Sequence, residues 1–170
     1  MASETEYLVK KAKRQAPDAF TQLMQIHMKE MYRVALSILM NDEDAADAIG
    51  DTILACWEKI GSLKETAYVR TWMIRILMNK CYDIRKKNKR YISLDECEEP
   101  SKEDSCNLEL KEALAVLDEK YRVIRVLFYS EGYHIDEIAK LLKIPKSTVA
   151  TRLSRGRKRL KEYLSGNQEV

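Results

Sequence analysis

The stretch "IDEIAKLLKIPKSTVATRLSRGRKRL", from Ile135 to Leu160, decides how this chain is read. Ile138, Ala139 and Leu142 recur at helical spacing, "KIP" interrupts them, and Val149, Leu153, Leu160 and Leu164 resume the spacing on a second apolar face. A short helix, a tight turn and a longer helix predict a helix-turn-helix, with small Ala139 permitting a close crossing. Away from the apolar face lie Lys146, Ser147, Thr148, Thr151, Arg152 and Arg155, near the start of the second helix, the end such a motif inserts into the major groove. Arginine can take guanine by two hydrogen bonds, and serine or threonine can hold phosphate or touch bases. Arg157, Lys158, Arg159 and Lys161 fall to the phosphate backbone. A cationic hairpin that coats any acidic surface competes with this reading, so the rest of the chain has to choose.

Working outward, apolar residues keep helical spacing almost everywhere and no stretch alternates as a strand. Helices are expected at about 4–14, 17–40, 43–60, 66–89, 107–117, 120–131, 135–142 and 146–164. Pro17 opens a helix, Pro145 precedes the last one, and Gly61 and Gly132 read as C-terminal stops. "SLDECEEPSKEDSC" has proline, acids and no apolar period, so it reads as a tether. The expected class is all-α, with two small helical domains at 1–90 and 107–165 joined by a flexible acidic linker at 91–106, the second domain carrying the helix-turn-helix.

The net charge of +3 conceals strong blocks. Asp42–Glu58 carries six acids and no base, while Lys64–Arg90 carries nine bases against two acids. Asp95–Glu109 carries seven acids against Lys102, and Lys140–Leu164 nine bases against Glu162. Paired basic blocks predict contact with a polyanion. Charged residues at 34% and hydrophobic ones at 45% exclude a disordered or membrane-embedded chain. The N-terminus shows no secretory signal. Cys56, Cys81, Cys97 and Cys106 lack Cys-x-x-Cys spacing and read as free thiols of a reducing cytoplasm, although Cys97 and Cys106 share one segment and could pair on oxidation. His27 and His134 are isolated, so neither a metal site nor a cofactor site is expected.

In the first lobe, "NDEDAADAIGDTILACWEKI" puts Ala45, Ile49, Ile53, Trp57 and Ile60 on one face and its acids outside. "AYVRTWMIRILMNKCYDIRKKNKR" follows, with Val69, Trp72, Met73, Ile76 and Leu77 inward and a basic outer face interleaved with Tyr68, Trp72, Tyr82 and Tyr91. Aromatics among cations suit single-stranded DNA, where bases stack while phosphates pair. Trp57 and Trp72 lie on apolar stripes and are assigned to the core.

Together with "AFTQLMQIHMKEMYRVALSIL" and "LDEKYRVIRVLFYSEGYHIDEIAKLLKIPKSTVATRLSRGRKRLKEYL", these segments resemble group IV, or extracytoplasmic-function, RNA polymerase sigma factors of the sigma-70 family, in order and over nearly the whole chain. The resemblance implies a promoter-specificity subunit of bacterial core RNA polymerase with no catalysis, cofactor or small-molecule substrate of its own. It implies that the first lobe docks on the β′ clamp helices through Asp44–Lys59, with Asp44, Asp47, Ala48, Asp51, Thr52, Leu54 and Ala55 as the docking set. The same lobe opens the minus-ten element, for which the implied residues are Tyr68, Arg70, Arg75, Asn79, Lys80, Asp83, Arg85, Lys86 and Lys87. Gly61–Arg70 corresponds to the loop that captures a flipped base, and Asn79 either meets such a base or bridges helices. The second lobe reads the minus-thirty-five element and holds the β flap. The linker threads toward the RNA exit path. The resemblance also implies an anti-sigma factor, of a kind that can be membrane-anchored, which holds such proteins inactive until stress and places the chain in the bacterial cytoplasm.

Three positions depart from the family's pattern. Gly50 stands where glutamine is usual, Lys143 where the turn often has glycine, and His134 where serine or threonine caps the first helix of the motif. A stand-alone operator-binding regulator also explains Ile135–Leu160 but leaves the acidic and basic helices of the first lobe unused. A DNA-cleaving enzyme lacks a metal cluster in the sequence.

Overall fold

The computed structural model describes residues 3–92, 112 and 114–166, and no strand occurs among the described residues. Two compact units divide it, Met1–Asn88 and Lys89–Val170. The expected linker beyond Ile92, with Cys97 and Cys106, lies outside the described residues, as does most of the helix expected at 107–117.

The first unit is four helices. α1 (Glu4–Lys13) starts where the Ser3 hydroxyl accepts the Glu6 amide at 3.2 Å. α2 (Pro17–Leu39) opens on Pro17, whose missing N–H costs nothing at that position. α3 (Asp42–Lys59) starts at Asn41, whose side chain accepts the Asp44 amide at 3.0 Å, and its first-turn acids oppose the positive end of the helix dipole. α4 (Val69–Ile92) follows two short 3₁₀ turns, Ile60–Ser62 and Thr66–Tyr68. Gly61 therefore does not end α3 in a left-handed cap; the chain passes through right-handed Ile60 straight into the 3₁₀ turn. Left-handed backbone in this unit falls instead at Gln15, φ 63°, and at Met40, the residue that ends α2, φ 53°.

Spacing decides the core. α1 packs on α2, and Leu8, Val9 and Ala12 of the first and Leu23, Met24, Met31 and Val34 of the second are all buried. From α3 come Ala45, Ala48, Ile49 and Cys56, and from α4 Met73, Ile74, Leu77, Met78 and Cys81. Each buried aliphatic chain contributes roughly 1.5–3 kcal/mol by leaving water. Trp57 is half-buried with its ring edge-on to Phe20 at 5.0 Å, and Trp72 is also half-buried, so both are core-flanking. Burial pushes the thiols of Cys56 and Cys81 up to about 12 from an ordinary 9.0.

In the second unit, α5 (Glu119–Arg125) runs on into a π turn, Val126–Ser130, closed by the Glu131 amide on the Val126 carbonyl at 3.0 Å. Gly132, at φ 72°, then turns the chain into α6 (Ile135–Leu142). α6 and α7 (Lys146–Gly166) form the expected helix-turn-helix. His134 makes no side-chain cap, and Lys143 takes the left-handed turn at φ 57°, ψ 45°, as its position required. The Schellman-type bond from the Ile144 amide to the Ala139 carbonyl, 3.1 Å, holds that lysine in place. Ile138, Ala139, Leu141, Val149 and Leu153 are buried, with Leu142 only half so. α7 lies close on α5 at Gly156: a Cβ there would stand 3.5 Å from Tyr121 Cβ and 3.4 Å from Arg125 Cδ, ordinary van der Waals contact. One expectation fails here. Leu164 is 60% exposed because α7 continues two turns past the core.

Two measurements follow from these placements. Lys143→Gly should raise stability by about 1 kcal/mol in urea unfolding, since a side chain in the left-handed region costs roughly that much. In the native chain at about pH 8, Ellman's reagent should spare Cys56 and Cys81 until the protein unfolds. Because their folded pKa is raised, the stability they contribute is intact below pH 9.0 and is lost as the pH climbs toward about 12.

Candidate nucleic-acid interface

The two long basic helices present their charges differently. On α4, Arg75, Asn79 and Lys86 are exposed at spacings of four and seven, and Tyr82 completes their stripe. Arg85 lies over the Tyr82 ring at 4.9 Å, an arrangement of cation and π-face that a stacked base can join. Asp83 is exposed and Lys80 half-buried on the flank of this stripe. Tyr68, 64% exposed, stands just ahead of α4 on the short turn Thr66–Tyr68.

Arg70 does not join them. It falls in register with Ile74, Leu77 and Cys81, the inward stripe of α4, and its Nε donates to both carboxylate oxygens of Glu30 on α2, at 2.9 and 3.1 Å. The spacing of four, three and four was readable in the sequence, so the arginine's inward direction could have been anticipated. Lys87 is exposed and lines the groove that faces the acidic helix.

That helix, α3, carries Asp47, Asp51, Leu54 and Glu58 along one exposed stripe, with Leu54 63% exposed among the acids. A groove of about 530 Å³ separates α3 from α4, edged by Asp44, Asp47, Gly50 and Leu54 on one side and Ile84 and Lys87 on the other. Asp44 is braced there, accepting from Asn88 Nδ2 at 2.8 Å. Three of the expected docking residues need correction. Ala48, Thr52 and Ala55 are buried, at 0%, 0% and 8% exposure, and the Thr52 hydroxyl is spent on the Ala48 carbonyl at 2.6 Å. They share the inward face with Ala45, Ile49 and Cys56, so a partner can touch the helix only through Asp44, Asp47, Asp51 and Leu54 of the expected set.

On α7, Ser147, Thr148, Thr151, Arg152 and Arg155 come together as expected, lining a concavity of about 350 Å³ with Lys120 and Tyr121 of α5. These last two were missed; the sequence offers no local signal that α5 borders the motif. Thr151 bonds back to the Ser147 carbonyl at 2.9 Å. Lys146 pairs with Asp136 of α6 at 3.0 Å, both two-thirds exposed, a contact that yields easily to phosphate. Farther along, Arg157 donates to Tyr129 Oη at 2.7 Å, and Arg159 reaches Asp118 at 3.0 Å while lying over the Tyr121 ring at 4.8 Å. Those two guanidinium groups are partly engaged within the lobe, whereas Lys158 is exposed.

Known proteins share this arrangement. Residues 23–91 match the family model for sigma-70 region 2 and residues 107–160 that for sigma-70 region 4. The chain is 30% identical over 151 residues to the ECF RNA polymerase sigma factor SigM of Mycobacterium tuberculosis, covering 86% of this chain and 77% of that one. It is 29% identical to the ECF RNA polymerase sigma factor SigW of Bacillus subtilis, covering 92% and 94%. Its fold resembles that of the sigma factor RpoE solved in complex with the anti-sigma factor NepR from Bartonella quintana, with TM-score 0.71, 25% identity, and coverage of 86% and 96%.

Gly50 marks one feature peculiar to this groove. A Cβ built there meets nothing within 4 Å, so Gly50→Ala should raise stability by roughly 0.5–1 kcal/mol in thermal or urea unfolding through helix propensity alone. A loss of stability would mean that the bare backbone at this point packs against something.

With two lobes matched in order and relatives aligned along most of both chains, this protein belongs to the ECF RNA polymerase sigma factors of the sigma-70 family.

Proposed function

We propose that this chain docks on the β′ clamp helices of core RNA polymerase through the outward stripe of α3 and directs the enzyme to promoters with two weak DNA readers. The outer face of α4, with Arg75, Asn79 and Lys86, takes the melted minus-ten strand, stacking bases near Tyr68 and Tyr82. The start of α7, with Arg152 and Arg155, enters the major groove of the minus-thirty-five element, and Lys120 borders the same concavity on the phosphate side. The chain is a specificity subunit that leaves catalysis to the polymerase. An anti-sigma factor, of the kind bound to the Bartonella quintana relative, holds it inactive until a stress signal. Such a partner can itself be membrane-anchored while this chain works in the cytoplasm; among the described residues no helix is long and apolar enough to cross a membrane.

The observation that supports this most is the presence, in one chain, of two separately folded units that each expose a cationic helix face, together with an acidic stripe on α3 that repels DNA. That stripe calls for a cationic protein partner, which a stand-alone operator-binding regulator does not need. Alone, the chain should bind duplex DNA weakly and without a footprint; with core polymerase it should protect a promoter upstream and downstream together. Arg152→Ala should then weaken minus-thirty-five binding by about 1–3 kcal/mol, measured as promoter affinity of the reconstituted holoenzyme. A clear footprint by the chain alone would favour the regulator.

A further inference from the structure

We infer that Lys13 and Glu30 are positioning residues for the minus-ten strand: from α1 and α2 they clamp the two ends of the Leu63–Tyr68 loop, which rests on reading that loop as the base-capture segment. Lys13 Nζ donates to the Leu63 carbonyl at 2.6 Å, from 50 residues away. At the other end, Glu30 receives Arg70 Nε on both oxygens, from 40 residues away, at the first turn of α4. Glu30 is only 7% exposed, and His27 Nδ1 approaches it at 3.6 Å from the same helix, so its carboxylate sits on the rigid core of α2. A carboxylate so placed needs its cation, and the cation is thereby fixed.

The loop itself has two apolar feet, Leu63 at 7% exposure and Val69 at 3%. Between them Lys64, Glu65, Ala67 and Tyr68 face outward. Each foot is thus held twice, once by burial and once by a charged side chain. The crest that carries the Tyr68 ring is held in shape before any DNA arrives. Capturing an unstacked base normally includes the cost of ordering the loop around it, and a loop fixed in advance avoids that cost. Lys13 also lies ahead of the segment matched by the region 2 model, so half of the clamp comes from outside it.

This gives Arg70 a structural task in place of a phosphate contact, and the two roles make opposite predictions. Were Arg70 a DNA ligand, Glu30→Gln would release its charge and tighten binding. As part of a clamp, Glu30→Gln loosens the loop and weakens binding. The experiment uses holoenzyme reconstituted from the full chain and core polymerase, with the single-stranded DNA that wild-type holoenzyme enriches from a randomised pool. Glu30→Gln and Lys13→Met should each lower affinity for that strand about fivefold to tenfold, while core affinity stays within about twofold. Amide exchange across residues 62–69 should quicken in Lys13→Met, whose half-buried side chain at the end of α1 makes it the milder change. Unchanged or tighter strand binding in either folded variant overturns the clamp, even if exchange quickens. Failure of wild-type holoenzyme to enrich any strand overturns the minus-ten reading beneath it.

Discussion

The period of α4 constrains almost everything else in the first lobe. One helix of 24 residues has to seal a core made by three others and present an exposed basic stripe. At 3.6 residues per turn these duties cannot be shared by the same positions. Ile74, Leu77 and Cys81 go inward, so Arg75, Asn79 and Lys86 are left for the outside. Arg70, at the edge of the inward stripe with its side chain 38% exposed, is drawn to Glu30 on α2. A core stripe therefore determines which basic residues can meet DNA, and charge counts along the sequence do not.

α3 obeys the same rule with opposite chemistry. Its Ala45, Ala48, Ala55, Thr52 and Cys56 are buried, and Asp47, Asp51 and Glu58 lie on a solvent-facing stripe with Leu54 among them. An acidic stripe next to a cationic helix repels DNA and suits a basic protein surface. In the second lobe, α7 begins with the exposed Lys146, Ser147, Thr151 and Arg155 and ends as an exposed extension carrying Leu164. On the function proposed above, a large host that holds both lobes raises the effective concentration of each at its own DNA element.

Periodicity made the helices, the helix-turn-helix and most of the α7 reading face legible from the letters. Lys143 was legible too, since the motif's turn needs a left-handed residue whatever occupies it. The inward course of Ala48, Thr52, Ala55 and Arg70 was written in the same spacing, but charge and family position outweighed it, and those assignments moved. Other features had no local signal. Lys13 with Leu63 and Glu30 with Arg70 are long-range pairs that only the packed helices create. Met40 and Gln15 turn left-handed without being glycine, because helix ends forced by packing set their backbone. Lys120 and Tyr121 border the α7 concavity through tertiary contact alone.

Promoter selection is the claim to which all of these surfaces lead, and start-site mapping by run-off transcription tests it most directly. Core polymerase would be supplied with a library of genomic fragments, with and without the purified chain. Adding the chain should create transcripts from a new, narrow set of start sites sharing two upstream elements at a constant separation. An unchanged set of start sites, with the chain demonstrably bound to core, would contradict it.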